Sequence, residues 1–303
     1  MNRLKKIGSL FGLSLLLVLA GCGEGETADR GEDANLNDGG SVAEALNYTI
    51  TGIDAGAGIM AAAKRAIEDY ELEGYELQTS SDAAMTAALG EAIANEEPIV
   101  VTGWNPHWMF VKYDLKYLDD PKGSFGGEET INTFGRKGLE EDHPEAFQVL
   151  SRFKWTEEDM GKIMLDIVDG MEPEEAARKW VENNQDKVSE WTDGVGTVDG
   201  EKLTLALVAW DSTIASTNMM KVVLEDIGYE VDLAPMEANF MWASVANGEA
   251  DAFLAGWLPV THAAYYEDYQ DDVVHLGTSM EGVKIGLVVP AYMDIDSIED
   301  LKN

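Results

Sequence analysis

The sequence predicts an α/β protein of two similar lobes. Each lobe is expected to be a mostly parallel sheet flanked by helices, with a ligand in the interlobe cleft. Two observations predict this. The first is an internal repeat. Pro98–Val101 and Ala252–Ala255 are short apolar runs that read as buried strands, and each leads into Gly-Trp-x-Pro, at Gly103–Pro106 and Gly256–Pro259. Upstream, Glu68-Asp69, Gly74-Tyr75-Glu76 and Ala94-Asn95-Glu96 are answered by Glu225-Asp226, Gly228-Tyr229-Glu230 and Ala246-Asn247-Gly248-Glu249. Gly74 precedes Gly103 by 29 residues and Gly228 precedes Gly256 by 28, so the repeat spans a whole unit. The second observation is the order within each copy: strand, helix, strand, helix, strand. That alternation implies parallel strands joined by right-handed crossovers. A chain of 303 residues, 45% apolar, can supply a core to each lobe.

Taken in order, Arg3, Lys5 and Lys6 precede an apolar run from Ile7 to Ala20 that ends in Leu19-Ala20-Gly21-Cys22. The run is too short to span a membrane and has the basic flank of a secretory signal. Small residues before a Cys resemble the bacterial lipobox, which implies cleavage before Cys22 and a lipid anchor on it. Cys22 is the only cysteine, which excludes an intrachain disulfide and a cysteine metal site. Residues 23–46 are rich in Gly, Glu, Asp and Asn and read as a flexible acidic tether.

Asn47–Asp54 reads as the first strand. Asp54-Ala55-Gly56-Ala57-Gly58-Ile59 then turns into a helix from Met60 to Tyr70. A Gly-rich turn entering a helix offers free N–H groups at the positive end of the helix dipole, an anion site. It lacks the Gly-Lys-Ser/Thr of a phosphate loop. Ser80-Ser81-Asp82 can cap a helix through Asn95. The strand to Val101 and a turn at Gly103-Trp104 close the first copy, with Trp108, Met109 and Phe110 expected beneath the turn. Gly126–Thr133 reads as a loop or helix start. From there to Trp191 the chain reads helical, with Trp155, Trp180 and Trp191 as packing residues and His143 solvated.

Lys202–Ala209 opens the second copy. Trp210-Asp211-Ser212 stands at its end, where the Gly58 loop stands in the first. Glu237–Asn247 is the second helix, with Met241 and Trp242 buried. Asp251–Ala255 and the Trp257 turn close the copy, and His262 follows. Val283–Pro290 is an apolar strand long enough to link two bodies, and Ser297–Lys302 is a short final helix.

Thr51–Ile59 (TGIDAGAGI), Thr102–Met109 (TGWNPHWM), Ala209–Ser212 (AWDS) and Ala255–His262 (AGWLPVTH), together with the lipobox, resemble the substrate-binding lipoproteins of glycine betaine ABC importers, the OpuAC type. The resemblance implies a type II periplasmic-binding-protein fold, circularly permuted and hinged by two crossover strands. It implies a quaternary-ammonium cage of Trp104, Trp210 and Trp257. It also implies a carboxylate site of the Gly58 and Ile59 N–H groups and the His262 imidazole. The expected division is a signal at 1–21 and a tether at 22–46. One lobe is 47–112 with 284–303, carrying the Gly58 loop and Trp104. The other is 113–283, carrying Trp210, Trp257 and His262.

The chemistry agrees with the residues. A trimethylammonium has no N–H to donate, and a cation over an indole face gains about 0.5–2 kcal/mol. A carboxylate needs donors, which a helix N-terminus and an imidazole supply. The resemblance implies a binding protein and no enzyme, no cofactor and no metal. Its implied partners are glycine betaine or proline betaine, the permease and ATPase subunits of an importer, and the outer face of the cell membrane through Cys22. A choline- or carnitine-binding protein would keep the cage and alter the carboxylate end. A hydrolase built on Ser212, Asp211 and a His lacks the Gly-x-Ser-x-Gly elbow, and a structural lipoprotein would need no pocket. The formal charge of −36 becomes −39 without the first 21 residues. That argues against nucleic acid or an anionic membrane as partner and reads as an acidic coat.

Overall fold

The structure, a computed structural model, describes residues 40–302. The expected Cys22 anchor, the expected signal and most of the expected tether lie outside the described residues. No helix among the described residues is long and apolar enough to cross a membrane.

The packed chain starts earlier than the expected end of the tether. Ser41 caps α1 (Val42–Ala45) through the Glu44 N–H, and the Glu44 carboxylate accepts the Ser41 N–H, both at 3.2 Å. Ala43 and Leu46 are buried. Helical spacing places them on one face, and α1 packs against the final 3-10 helix, Ile298–Lys302.

The first repeat unit is β1 (Thr49–Thr51), α2 (Gly58–Asp69), β2 (Glu76–Gln78), α3 (Asp82–Asn95) and β3 (Val101–Asn105). Strand β1 pairs in parallel with both β2 and β3. Next come α4 (Met109–Lys112), β4 (Leu115–Tyr117) and β5 (Glu129–Arg136). Five helices follow: α5 (Leu139–Asp142), α6 (Pro144–Arg152), α7 (Glu157–Val168), α8 (Pro173–Asn183) and α9 (Gln185–Thr192). The second unit is β6 (Lys202–Leu207), α10 (Asp211–Asp226), β7 (Glu230–Pro235), α11 (Ala238–Ala246) and β8 (Ala252–Leu258). Strand β6 pairs in parallel with β7 and β8, so the second unit repeats the first unit's strand order. Last come α12 (Ala263–Tyr269) and β9 (Val273–Pro290).

Strand β9 belongs to both groups. Its first part, from Val273 to Val283, pairs antiparallel with β5, and its end pairs antiparallel with β3 and β4. The resulting order is β2-β1-β3-β9-β5-β8-β6-β7. Among the described residues the chain passes between the groups twice, through residues 118–128 and within β9. Strand β4 pairs Leu115 with Pro290 and Tyr117 with Val288, so the first group runs past the boundary expected after residue 112.

Strand β5 corrects the reading of residues 126–191. Glu129–Arg136 is a central strand, paired with β8 on one side and β9 on the other. Its buried polar residues, Glu129, Asn132 and Thr133, obscured the strand pattern. The helical reading holds from Leu139 onward, where Trp155, Trp180 and Trp191 are buried around Phe153. The Trp180 and Trp191 rings stack at 6.2 Å, and Phe153 meets Trp191 edge-on at 5.1 Å. His143 is less solvated than expected, lying half-buried beside the Tyr229 ring at 5.7 Å.

The Gly-Trp pairs also differ from expectation, because they stand inside strands and not in turns. Gly103 pairs with Gly286 and Trp104 with Ile285; Gly256 pairs with Asn132 and Trp257 with Ile131. The glycines serve close packing. A Cβ on Gly103 would lie 2.5 Å from Val288 Cγ2, and one on Gly256 would lie 2.5 Å from the Phe134 ring. The chain turns at Pro106 and Pro259, after cis peptide bonds in both copies.

Candidate ligand-binding site

Each expected cleft residue is held by a strand end or a helix start. The β1–α2 connection brings Ile53, Ala57, Gly58 and Ile59 to the cleft. Strand β3 brings Trp104, and its partner Ile285 on β9 lies beside it. The end of β6 presents Trp210, the N-cap residue of α10. Strand β8 supplies Trp257, and Thr261 closes the wall from the following turn. These residues enclose about 300 Å³, the mouth included. Trp104, Trp210, Trp257, Gly58 and Ile59 thus meet at one place, drawn from both groups of strands.

The three indoles are covered, at 4%, 6% and 4% exposure for Trp104, Trp210 and Trp257, because the two groups are bonded across the cleft. Trp104 Nε1–H donates to Ser212 Oγ at 3.2 Å, and Trp210 Nε1–H donates to Asp54 Oδ2 at 3.1 Å. Tyr265 donates its hydroxyl to the Gly56 carbonyl at 2.6 Å. Trp108 lies outside the cleft, as expected, and its indole N–H donates to Asp211 Oδ2. The Asp211 N–H donates to Asp82 Oδ2 at 2.8 Å. His107 Nδ1 accepts the Met109 N–H, so Nε2 carries the proton and donates to Asp82 Oδ1 at 3.3 Å. Burial and the neighbouring Asp82 hold the Asp211 carboxyl above its usual range, while Trp108 and His107 pull it back.

Helix α2 starts at the cleft wall, where Gly58 and Ile59 lie. Among the described residues Gly58 and Ile59 have no acceptor for their N–H groups. Gly58 permits this approach, since a Cβ there would lie 1.8 Å from the Thr261 carbonyl oxygen.

His262 stands just behind the cleft wall, its ring 6.0 Å from that of Trp210 and fully buried. Nδ1 accepts the Trp257 N–H at 3.2 Å, which leaves the proton on Nε2. Nε2 has no hydrogen-bond partner. Burial drives the His262 pKa down to about 3, against a weaker opposing pull from the Ala255 carbonyl. The residue is therefore a neutral donor with an unused proton, poorly suited to hold charge and well suited to meet an anion.

Sequence reasoning missed Glu129. It is 1% exposed, and its Oε2 accepts the Val260 and Thr261 N–H groups, each at 2.8 Å. Its Oε1 accepts the Thr261 hydroxyl. One carboxylate on β5 thereby fixes the turn that carries Thr261 and His262. The β-branched and aromatic residues Thr130, Ile131, Thr133 and Phe134 were the available signal for a strand there. Asn132 was missed as well: its amide donates to the Gly256 carbonyl at 3.0 Å and ties β5 to the Gly-Trp segment.

With this geometry, the chain belongs to the OpuAC family, the substrate-binding domain of ABC-type glycine betaine transport systems, whose model matches residues 27–183 and 201–303. The family is one of transport binding domains and not of enzymes. Among relatives, the chain is 54% identical over 303 residues to the glycine betaine/carnitine transport binding protein GbuC of Listeria monocytogenes serotype 1/2a (strain 10403S), covering 99% of each. Among solved structures, lactococcal OpuAC in its closed-liganded conformation with glycine betaine matches at 54% identity and a TM-score of 0.47, over 48% of this chain and 58% of that one. An ABC-transporter choline-binding protein in complex with choline matches at 26% identity and a TM-score of 0.46, over 61% of each chain.

Proposed function

We propose that the protein captures glycine betaine, and proline betaine as a second ligand, outside the cytoplasm and delivers it to the permease and ATPase subunits of an ABC importer for osmoprotection. The observation that carries this reading is the meeting of three indoles from both groups of strands with unused donors beside them. In this reading Trp104, Trp210 and Trp257 surround the trimethylammonium. The Gly58 and Ile59 N–H groups and His262 Nε2–H take the carboxylate. Desolvated indole faces favour a methylated cation by about 0.5–2 kcal/mol per contact. Glycine, with the same carboxylate, would bury charged N–H donors among indoles and leave them unsatisfied, at about 1–3 kcal/mol or more.

Calorimetric titration with glycine, sarcosine, dimethylglycine and glycine betaine tests the reading, and affinity is expected to rise at each methylation. Glycine binding as tightly as glycine betaine would overturn it. The name of the Listeria relative also favours carnitine as a ligand. Carnitine keeps both charged ends at a longer separation, so titrating it alongside ranks the two. The lipid anchor on Cys22 belongs to the same proposal. Cys22→Ala is expected to abolish incorporation of labelled fatty acid, and persistent labelling would refute the anchor.

A further inference from the structure

The bond from Trp210 to Asp54 sets this indole apart from that of Trp104. Asp54 closes the β1–α2 connection, where its carbonyl accepts the Ala57 N–H at 2.9 Å. Its Oδ2 takes the Trp210 indole N–H from across the cleft at 3.1 Å. Trp104 meets a neutral hydroxyl in the same role, Ser212 Oγ at 3.2 Å.

We propose that Asp54 is the charge that tunes the cage, acting through the indole of Trp210. This rests on the betaine reading of the cleft. A carboxylate that accepts an indole N–H pushes electron density into the ring and deepens the negative potential over its faces, which is what a cation senses. A trimethylammonium cannot hydrogen-bond a carboxylate. An acid set directly among the indoles would therefore sit in apolar surroundings with its lone pairs unpaired. Placing the charge at the N–H edge of the ring avoids that cost, because the oxygen keeps a donor. Asp54 is not among the residues that line the cleft. Burial raises its carboxyl above the usual range, with Asp82 and Glu237 adding to the rise and Trp210 opposing it. A cation over the face of the ring would favour the charged form of that carboxyl.

The test uses two ligands of one shape. Glycine betaine carries a cationic nitrogen; 3,3-dimethylbutanoate has carbon in its place and keeps the carboxylate. Asp54→Asn keeps an acceptor for the indole and removes the charge. Calorimetry on the full chain should show a roughly fivefold to twentyfold loss for glycine betaine and little change for the isostere. Asp54→Ser, a neutral acceptor like that of Trp104, should repeat the pattern if the Asn variant folds poorly. Equal losses for both ligands would make Asp54 a structural residue and overturn the proposal. In a Trp210→Phe background the ring has no N–H, so Asp54→Asn should there leave glycine betaine affinity nearly unchanged. A loss that persists would place the effect directly across space and overturn the relay. Wild-type protein that does not prefer glycine betaine to the isostere would instead refute the cage itself, a separate and visible failure.

Discussion

At the scale of single residues, the indoles and the imidazole have different sensitivities. Each indole offers a π face, so Trp→Ala at 104, 210 or 257 should weaken glycine betaine binding by about 2 kcal/mol, roughly thirtyfold, while Trp→Phe or Trp→Tyr should cost less. Trp155→Ala and Trp180→Ala, in the helical region, should leave affinity nearly untouched in protein that remains folded. Calorimetry reads all of these. His262 acts by geometry and not by charge. Its folded pKa near 3 lies below the ordinary value of 6.5, so the unfolded chain binds the extra proton first. The stability it contributes is complete above about pH 6.5 and falls as the pH drops from there toward 3. His262→Gln should therefore show a smaller fall in Tm between pH 7 and pH 5 than wild type. Glycine betaine affinity of the wild type should stay flat from pH 6 to pH 8, since the His262 imidazole is neutral across that range.

At the scale of elements, β5 holds the site's scaffolding. Glu129 satisfies two backbone donors and a hydroxyl from inside the protein. Glu129→Gln turns an amide NH₂ or a single carbonyl toward those donors. It should destabilise the fold by about 2–4 kcal/mol and weaken ligand binding through the Thr261–His262 turn. Denaturant unfolding and calorimetry together would check both effects. Gly256→Ala should cost about 1–3 kcal/mol by forcing a methyl into the Phe134 ring and the Asn132 carbonyl. These two elements also show what was legible. The paired units, their strand order and the cleft side chains could be read because apolar runs, caps and Gly-Trp-Pro signals repeat. Strand β5 was hidden because its polar residues are buried as anchors, and burial of an anchor leaves no apolar alternation to read. The Gly-Trp pairs were placed in turns because a glycine excluded by a neighbour's ring and a glycine needed for a bend look the same in sequence. Ser212 as the partner of Trp104, and Asp54 as that of Trp210, became visible only once residues 108 and 156 positions apart were brought together.

At the scale of the whole molecule, the bonds across the cleft join groups of strands that the chain links through residues 118–128 and β9. Removing ligand should loosen those bonds, so saturating glycine betaine should lower the radius of gyration in small-angle scattering. An unchanged radius would argue against a moving hinge. The bound zwitterion carries no net charge, so the acidic coat should give affinity only a weak dependence on salt.

Strand β9 also sets how far each wall of the box stands from the strand that both groups share. Trp104 pairs directly with it, Trp257 stands on β8 beyond β5, and Trp210 ends β6, one strand farther out. In a rigid swing about β9, travel grows with distance from the fulcrum. Trp257 and Trp210 then travel together, Trp210 on the longer arc, so Trp104 is the wall an arriving ligand meets first and the other two indoles close over it as the bolt. In stopped-flow measurements Trp210→Ala and Trp257→Ala should both shorten residence with little change in the rate of entry, whereas Trp104→Ala should slow entry as well.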